Sequence, residues 1–331
     1  MIPEKVKEVL KKQHYEIVGK HSAVQVCHWT KKSLRDQGVC YKEKFYGIKS
    51  HRCCQMTPAV MWCPNQCEHC WRAIELNLGD KLGNEINSPS AIIDGCIEAQ
   101  KKLLEGFKKS SGDPSKFKRQ VRQDTNMEKF EEAQEPMQFA ISLSGEPTLY
   151  PKIGSLIEEL RKRKKTSFLV TNGLYPQKLK ELLAKGQKPT QLYISVNTSN
   201  EKDYTKFHKS SIKNAWEKLN ESLSLMSQFP RSVFRINLIK TKNMSQKNIL
   251  EFAELIKEAN PKFIELKGFM SVGFARARLG YDKMPWHKDM QKFAKELVEN
   301  LGGKWKILDE HEVSRAIVLG KDKKELKIKW N

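Results

Sequence analysis

Apolar positions along this chain fall into two patterns. Short, mostly apolar runs occur at Phe139-Ala140-Ile141-Ser142-Leu143, 167–170, 192–196, 233–240 and 263–266. Such runs are the pattern of strands buried on both faces. Between them, 153–164, 177–184, 212–228 and 245–258 carry apolar residues at helical spacing, and Ser245 stands at the N-cap of the last. Another short run, Ala59-Val60-Met61-Trp62, precedes a helix predicted over 90–109 and capped by Ser88 or Ser90. Six strands alternating with helices from residue 59 onward predict a parallel sheet with helices outside it. Eight such units close a TIM barrel; six leave an incomplete (β/α)6 TIM-like barrel, curved and open on one side. A doubly wound sheet is the competing α/β arrangement.

The flanking regions read differently. Residues 3–13 form a charged helix with Val6, Val9 and Leu10 on one face, and the stretch from Cys27 to Cys53 carries turn and charged residues and reads largely as loop. The stretch 110–136 is a charged insertion with one surface helix. A long connection, 268–285, carries Gly268, Gly273, Gly280 and Pro285, and leads into a helix over 286–300. The runs 305–308 and 314–319 predict antiparallel strands at the end. The expected organisation is therefore a cysteine-rich N-terminal extension (1–58), the partial barrel (59–300), and C-terminal strands with a basic tail (301–331). In such folds function sits at the carboxyl ends of the strands.

Charge adds a partner. The 331 residues hold 60 Lys and Arg against 39 Asp and Glu, a net charge of +21. That excess points to a polyanion, nucleic acid first and an anionic membrane surface second. Candidate contacts are Lys321, Lys323, Lys324, Lys327 and Lys329 in the tail, and Lys116, Lys118, Arg119 and Arg122 in the insertion. No apolar run reaches the ~18 residues of a membrane span, and the first ten residues lack a signal-peptide apolar region. The expected compartment is the cytoplasm, where thiols stay reduced, so the eight cysteines read as metal ligands rather than disulfides.

The sharpest chemistry lies in Trp62-Cys63-Pro64-Asn65-Gln66-Cys67-Glu68-His69-Cys70-Trp71-Arg72. Three thiolates spaced C-x3-C-x2-C leave one position open on a [4Fe–4S] cluster, which normally takes four cysteines. A zinc loop fits less well, since zinc ligands come as C-x2-4-C pairs. The spacing resembles the radical S-adenosylmethionine superfamily, whose open iron is chelated by the amino and carboxylate groups of the cofactor. Ser144-Gly145-Glu146-Pro147-Thr148 follows the next strand and resembles the Gly-Glu-Pro segment that contacts the cofactor's amino group in that superfamily. Asn172 and Asn197, also at strand ends, are candidates for the ribose or carboxylate; turn formation is their other reading. Cys27, Cys40 and Cys53 recur at intervals of thirteen. They suggest a second soft-metal site, either a cluster or zinc with His28 or His51. Cys54 reads as a neighbour of a ligand, and Cys96 as a core thiol beside Ile92 and Ile93.

A narrower resemblance rests on 40–48, 50–53, 55–58, Cys70-Trp71-Arg72, 141–151, 190–195 and 263–268. Together they are similar to the tRNA 4-demethylwyosine synthase family of the wybutosine pathway, over about 19–317. The resemblance implies an incomplete (β/α)6 barrel with two [4Fe–4S] clusters, the second on Cys27, Cys40 and Cys53. The implied substrates are N1-methylguanosine beside the anticodon of tRNA-Phe, and pyruvate. Cleavage of S-adenosylmethionine would give a 5′-deoxyadenosyl radical that takes hydrogen from the N-methyl group. The carbon radical would add to pyruvate, whose C1–C2 bond breaks as the tricyclic base forms. A lysine can activate pyruvate as a Schiff base; Lys42 is the candidate by position and Lys44 the reserve. The chain resembles the short form without a flavodoxin-like domain, which implies an external electron donor such as a flavodoxin or ferredoxin, and a monomer. Two departures touch cofactor contact: His69 stands where an aromatic is usual, and Asn197 where an acidic residue is common. The alternatives are another radical-SAM tRNA-modifying enzyme, or a zinc-dependent RNA-binding protein that would be colourless when purified without air.

Overall fold

The computed structural model describes residues 2–108 and 124–329, so the basic candidates at 116–122 lie outside it. The chain divides into two compact units, the first made of 1–60 and 82–168 and the second of 61–81 and 169–331.

The first unit opens with α1 (Glu4–Lys12), then β1 (Glu16–Val18) and β2 (Ser22–Val24) as an antiparallel hairpin. The region expected to be loop is ordered. It carries α2 (His28–Ser33), α3 (Tyr41–Tyr46) and β3 (Cys53–Thr57). The first parallel strand is therefore β3 and not the run 59–62. Pro58 has no N–H to offer a ladder, and Met61 has φ 68°, so the backbone turns there. Next come α4 (Pro89–Leu104), capped by the Ser88 side chain accepting from Ala91 N, then α5 (Met127–Ala133), β4 (Gln138–Ile141) and α6 (Ile153–Lys162). The strand order is β1-β2-β3-β4-β5, with β3 and β4 parallel. A local core joins Val26 and Leu34 to Leu104, Phe107, Phe130 and Ala133.

The strand β5 (Thr166–Thr171) begins in the first unit and ends in the second. The second unit continues with α7 (Pro176–Ala184), β6 (Gln191–Ser195), α8 (Glu201–His208), α9 (Ala215–Ser224) and β7 (Ser232–Leu238). It then adds α10 (Gln246–Ala259), β8 (Phe263–Gly268), α11 (Ala275–Leu279), α12 (His287–Asn300), β9 (Lys306–His311) and β10 (Ala316–Gly320). The order is β5-β6-β7-β8-β10-β9, parallel from β6 to β8 and antiparallel at the last two strands. The strands β6 and β8 are buried almost throughout, which is why they read as mostly apolar runs. Ser245 forms the expected cap of α10, accepting from Asn248 N while Asn248 Oδ1 accepts from Ser245 N. Among the described residues no helix is long and apolar enough to cross a membrane.

Candidate functional site

Cys63, Cys67 and Cys70 lie in the second unit on a loop tied along its length. Asn77 brackets the entry, its Oδ1 accepting from Cys63 N at 3.2 Å and its Nδ2 donating to the Cys63 carbonyl at 2.7 Å. The middle is fastened to the end of α8, where Gln66 N donates to the His208 carbonyl at 2.8 Å and Glu68 N to that of Phe207 at 3.2 Å. The exit is gripped by Arg278 of α11. Its guanidinium donates to the carbonyls of Glu68, Cys70 and Arg72 and pairs with Glu75 at 2.8 Å. Just before α11, Phe274 N donates to Trp71 O at 3.1 Å. A Cβ on Gly273, whose φ is +55°, would stand 2.5 Å from that oxygen. Only glycine lets the two backbones come this close.

The sulfur environment fits the group that the spacing suggests. Burial pushes the Cys67 thiol well up, with Cys63 and Cys70 beside it adding to the effect, and burial raises Cys70 as well. Metal coordination deprotonates such thiols outright. N–H groups stand ready for the resulting thiolates: Asn65 N is 3.4 Å from Cys63 Sγ, Asn172 Nδ2 is 3.9 Å from the same sulfur, and His208 Nδ1 is 3.0 Å from Cys67 Sγ. Soft thiolates ringed by N–H donors are the donor set of an iron–sulfur cluster. Among the described residues no three Cys, His, Asp or Glu side chains are grouped so as to hold a single metal ion.

The two histidines here are neutral. Burial lowers His208 to about 3, and its ring stacks on Tyr204 at 4.4 Å. Its Nε2 meets no partner among the described residues, so we assign the ring proton to Nδ1, facing Cys67. Burial, with Arg235 and Arg278 nearby, lowers His69 to about 4. It lies parallel to Phe207 at 5.1 Å between centroids. His69 thus behaves as the aromatic ring whose place it takes. Asn197 Nδ2 is 3.4 Å from His69 Nε2, while its Oδ1 accepts from Asn237 N at 3.1 Å. Asn172 Oδ1 accepts from Leu174 N at 3.0 Å, closing the turn after β5. Both asparagines serve the backbone and also face the cysteine loop.

The first unit holds the other candidates. Cys27 and Cys40 are the N-cap residues of α2 and α3, and Cys53 opens β3. Ser50 joins them: Cys40 N donates to its Oγ at 2.9 Å, and its carbonyl accepts from Thr30 Oγ1 at 3.0 Å. Gln100 Nε2 donates to the Cys53 carbonyl at 3.2 Å. Burial, then Cys27 close by, pushes Cys53 up to about 12, and the same two causes raise Cys40 further. The three thiols therefore share one neighbourhood. Cys54 points the other way from β3 and is fully buried, as is Cys96, in line with a neighbour and a core thiol. Lys42, the second residue of α3, is 8% exposed, and its Nζ lies 5.0 Å from the Phe168 ring centroid. Its charge favours ionisation of both Cys40 and Cys53. Lys44, on the same helix, is exposed.

Ser144, Gly145, Glu146 and Pro147 follow β4 in the same unit. Ser144 O accepts from Thr57 Oγ1 at 2.6 Å, Gly145 has φ 72°, and Glu146 Oε1 accepts from Thr148 N at 3.0 Å and Thr148 Oγ1 at 2.6 Å. The segment is a buried, preformed turn. Asn77, Phe207, His208 and Arg278 escaped sequence reasoning. Their contacts with the cysteine loop span up to 210 positions in the chain, and no local spacing marks them.

Residues 58–253 match the family model for the radical SAM superfamily, and 258–321 the model for wyosine base formation. The chain is 45% identical to the S-adenosyl-L-methionine-dependent tRNA 4-demethylwyosine synthase of Pyrococcus abyssi, over 97% of this chain and 90% of that protein. A solved structure of TYW1 with a lysine-pyruvate adduct bound superposes with a TM-score of 0.84 at 35% identity, covering 99% of this chain and 98% of that one. An archaeal TYW1 crystal structure gives 0.75 at 33% identity, covering 97% of each.

Proposed function

The chain belongs to the tRNA 4-demethylwyosine synthase family of the radical-SAM superfamily, with the α/β partial TIM-like barrel of that superfamily; from that premise we propose its reaction. It converts N1-methylguanosine beside the anticodon of tRNA-Phe, with pyruvate, into the tricyclic base 4-demethylwyosine. The observation that carries this reading is a C-x3-C-x2-C thiol loop in a chain that holds a second thiol triplet with a buried lysine beside it. Cys63, Cys67 and Cys70 would hold a [4Fe–4S] cluster, and that group would supply the one-electron chemistry that cleaves S-adenosylmethionine. Asn77 and Arg278 keep those thiols presented, and His208 gives Cys67 a hydrogen bond. We assign cofactor contact to Ser144, Gly145, Glu146, Pro147, Asn172 and Asn197.

Cys27, Cys40 and Cys53 are the proposed ligands of a second [4Fe–4S] cluster. Lys42 is the proposed partner of pyruvate: its amine adds to the carbonyl carbon and water leaves, giving an iminium. The lysine-pyruvate adduct described for a relative supports that role, as does the burial of Lys42 against the exposure of Lys44. We take 1–58 as the region bearing the second ligand set, with β3 at its end as the first parallel strand, 59–300 as the rest of the partial barrel and 301–331 as the C-terminal strands and basic tail. An external flavodoxin or ferredoxin supplies the electron to a cytoplasmic monomer.

Incubating N1-methylated tRNA-Phe with the reconstituted protein, S-adenosylmethionine, reductant and pyruvate, followed by nucleoside mass analysis, tests the reading. The methylated nucleoside should be replaced by the tricyclic product, and only when pyruvate is present. Cofactor cleavage with unchanged tRNA would assign the chain another substrate.

The charge makes a second prediction. Lys321, Lys323, Lys324, Lys327 and Lys329 are all exposed. If the tail meets tRNA through five phosphates, the log–log dependence of the association constant on salt should have a slope of about −4. A flat dependence between low and physiological salt would remove nucleic acid as the reason for the charge.

A further inference from the structure

We propose that the exposed rings of Trp71, Phe274, Tyr281 and Trp286, with the guanidinium groups of Arg276 and Arg315, form a stacking platform for unpaired nucleotides of the RNA substrate. The proposal rests on the tRNA reading above and adds the place and the chemistry of recognition.

Large apolar side chains normally leave water, and here their exposure is concentrated. Of nine exposed ones among the described residues, Trp71 and five in the segment 270–286 make up six. Tyr281 is 60% and Trp286 66% exposed. Each has a guanidinium over its ring, Arg276 at 5.0 Å from the Tyr281 centroid and Arg315 at 4.8 Å from that of Trp286. Arg315 is fixed there by donating to the Pro285 carbonyl at 3.0 Å. Arginine-backed aromatic rings that still face water are the surface on which proteins stack splayed bases.

Position and charge favour RNA over an apolar protein partner. Trp71 follows Cys70 directly, and Phe274 N is bonded to Trp71 O, so the platform starts at the cysteine loop. Alongside is a cleft of about 360 Å³ lined by Lys209, Lys242, Arg278 and Lys283, with Glu68 as its one acidic side chain. Cations beside rings suit a chain that presents phosphates and bases together. A base beside the anticodon must leave its stack to react, and restacking its neighbours on protein rings offsets that loss.

The test uses the full chain with two RNAs: an anticodon stem-loop, and the same stem-loop with abasic sugar-phosphates in the loop. Wild-type protein should prefer the base-bearing loop by at least about tenfold, as stacking of one or two bases requires. The double variant Tyr281→Leu/Trp286→Leu should lose that preference and bind the abasic RNA as wild type does. Tyr281→Phe/Trp286→Phe should keep it. A preference unchanged in the Leu variant, or equal weakening on both RNAs, overturns the platform. Wild-type binding without any base preference also overturns it while leaving tRNA as the substrate, whereas no binding of either RNA overturns the tRNA reading itself.

Discussion

Replacing Cys63, Cys67 and Cys70 together by Ala should abolish cleavage of S-adenosylmethionine and leave about half of the iron, as two separate three-cysteine sites require. The two thiol sets belong to different units of the chain, and each has its own frame. The first loop is held by Asn77, the end of α8 and Arg278. The other triplet is held by Ser50, Thr30 and Gln100. Neither frame uses a cysteine of the other, so loss of one set should not unfold the other. Three ligands make the set cooperative: a variant lacking all three has nothing to chelate with, while a single change can leave residual cluster. Iron and acid-labile sulfide are counted after anaerobic reconstitution, and cofactor cleavage is followed by release of 5′-deoxyadenosine. The reciprocal triple change at Cys27, Cys40 and Cys53 should also halve the iron but spare reductive cleavage. Iron falling to zero in either variant, or cleavage surviving the first, would break the two-site assignment.

What the sequence disclosed follows a physical divide. The strands β4 to β8 were legible because each is largely buried on both faces and therefore mostly apolar. The cysteine loop was legible because its ligands lie within eight residues of one another, so their spacing carries geometry. The first parallel strand was missed because Cys53-Cys54-Gln55-Met56-Thr57 is half polar; Cys53 and Gln55 take partly buried positions while Cys54 and Met56 enter the core. Residues 27–52 read as loop because α2 and α3 are only six residues each, too short for a helical period to show. Arg278, His208 and Asn77 were invisible for another reason. Each acts by a hydrogen bond to backbone or sulfur in the folded chain, and such a bond leaves no pattern in a single sequence. His69 shows the converse. Its identity departs from an aromatic, yet its parallel contact with Phe207 and its neutral state supply the same flat surface.

Changing Lys42 should separate cofactor cleavage from product formation. Lys42→Ala should keep S-adenosylmethionine cleavage and lower tricyclic product by roughly a hundredfold or more, the scale on which losing a positioned reacting group acts. The argument begins with placement. Lys42 is tied to a thiol ligand candidate, its N donating to Cys40 Sγ at 3.5 Å, and its amine is carried inward over Phe168. A buried cation near two thiols has an electrostatic role of its own, favouring their ionised forms. Product loss in Lys42→Ala alone therefore does not distinguish a covalent lysine from one that only stabilises the second cluster. Lys42→Arg does. It keeps the positive charge but cannot form an iminium, so iron content should hold while product stays lost. The direct reading is chemical: borohydride with labelled pyruvate should reduce the iminium to a stable amine and leave label on the peptide containing Lys42 in the wild type only. Label on Lys44 would move the role two residues along the helix. Full turnover by Lys42→Arg with no trapped label would sink covalent activation and leave the charge of this residue as its contribution to pyruvate chemistry.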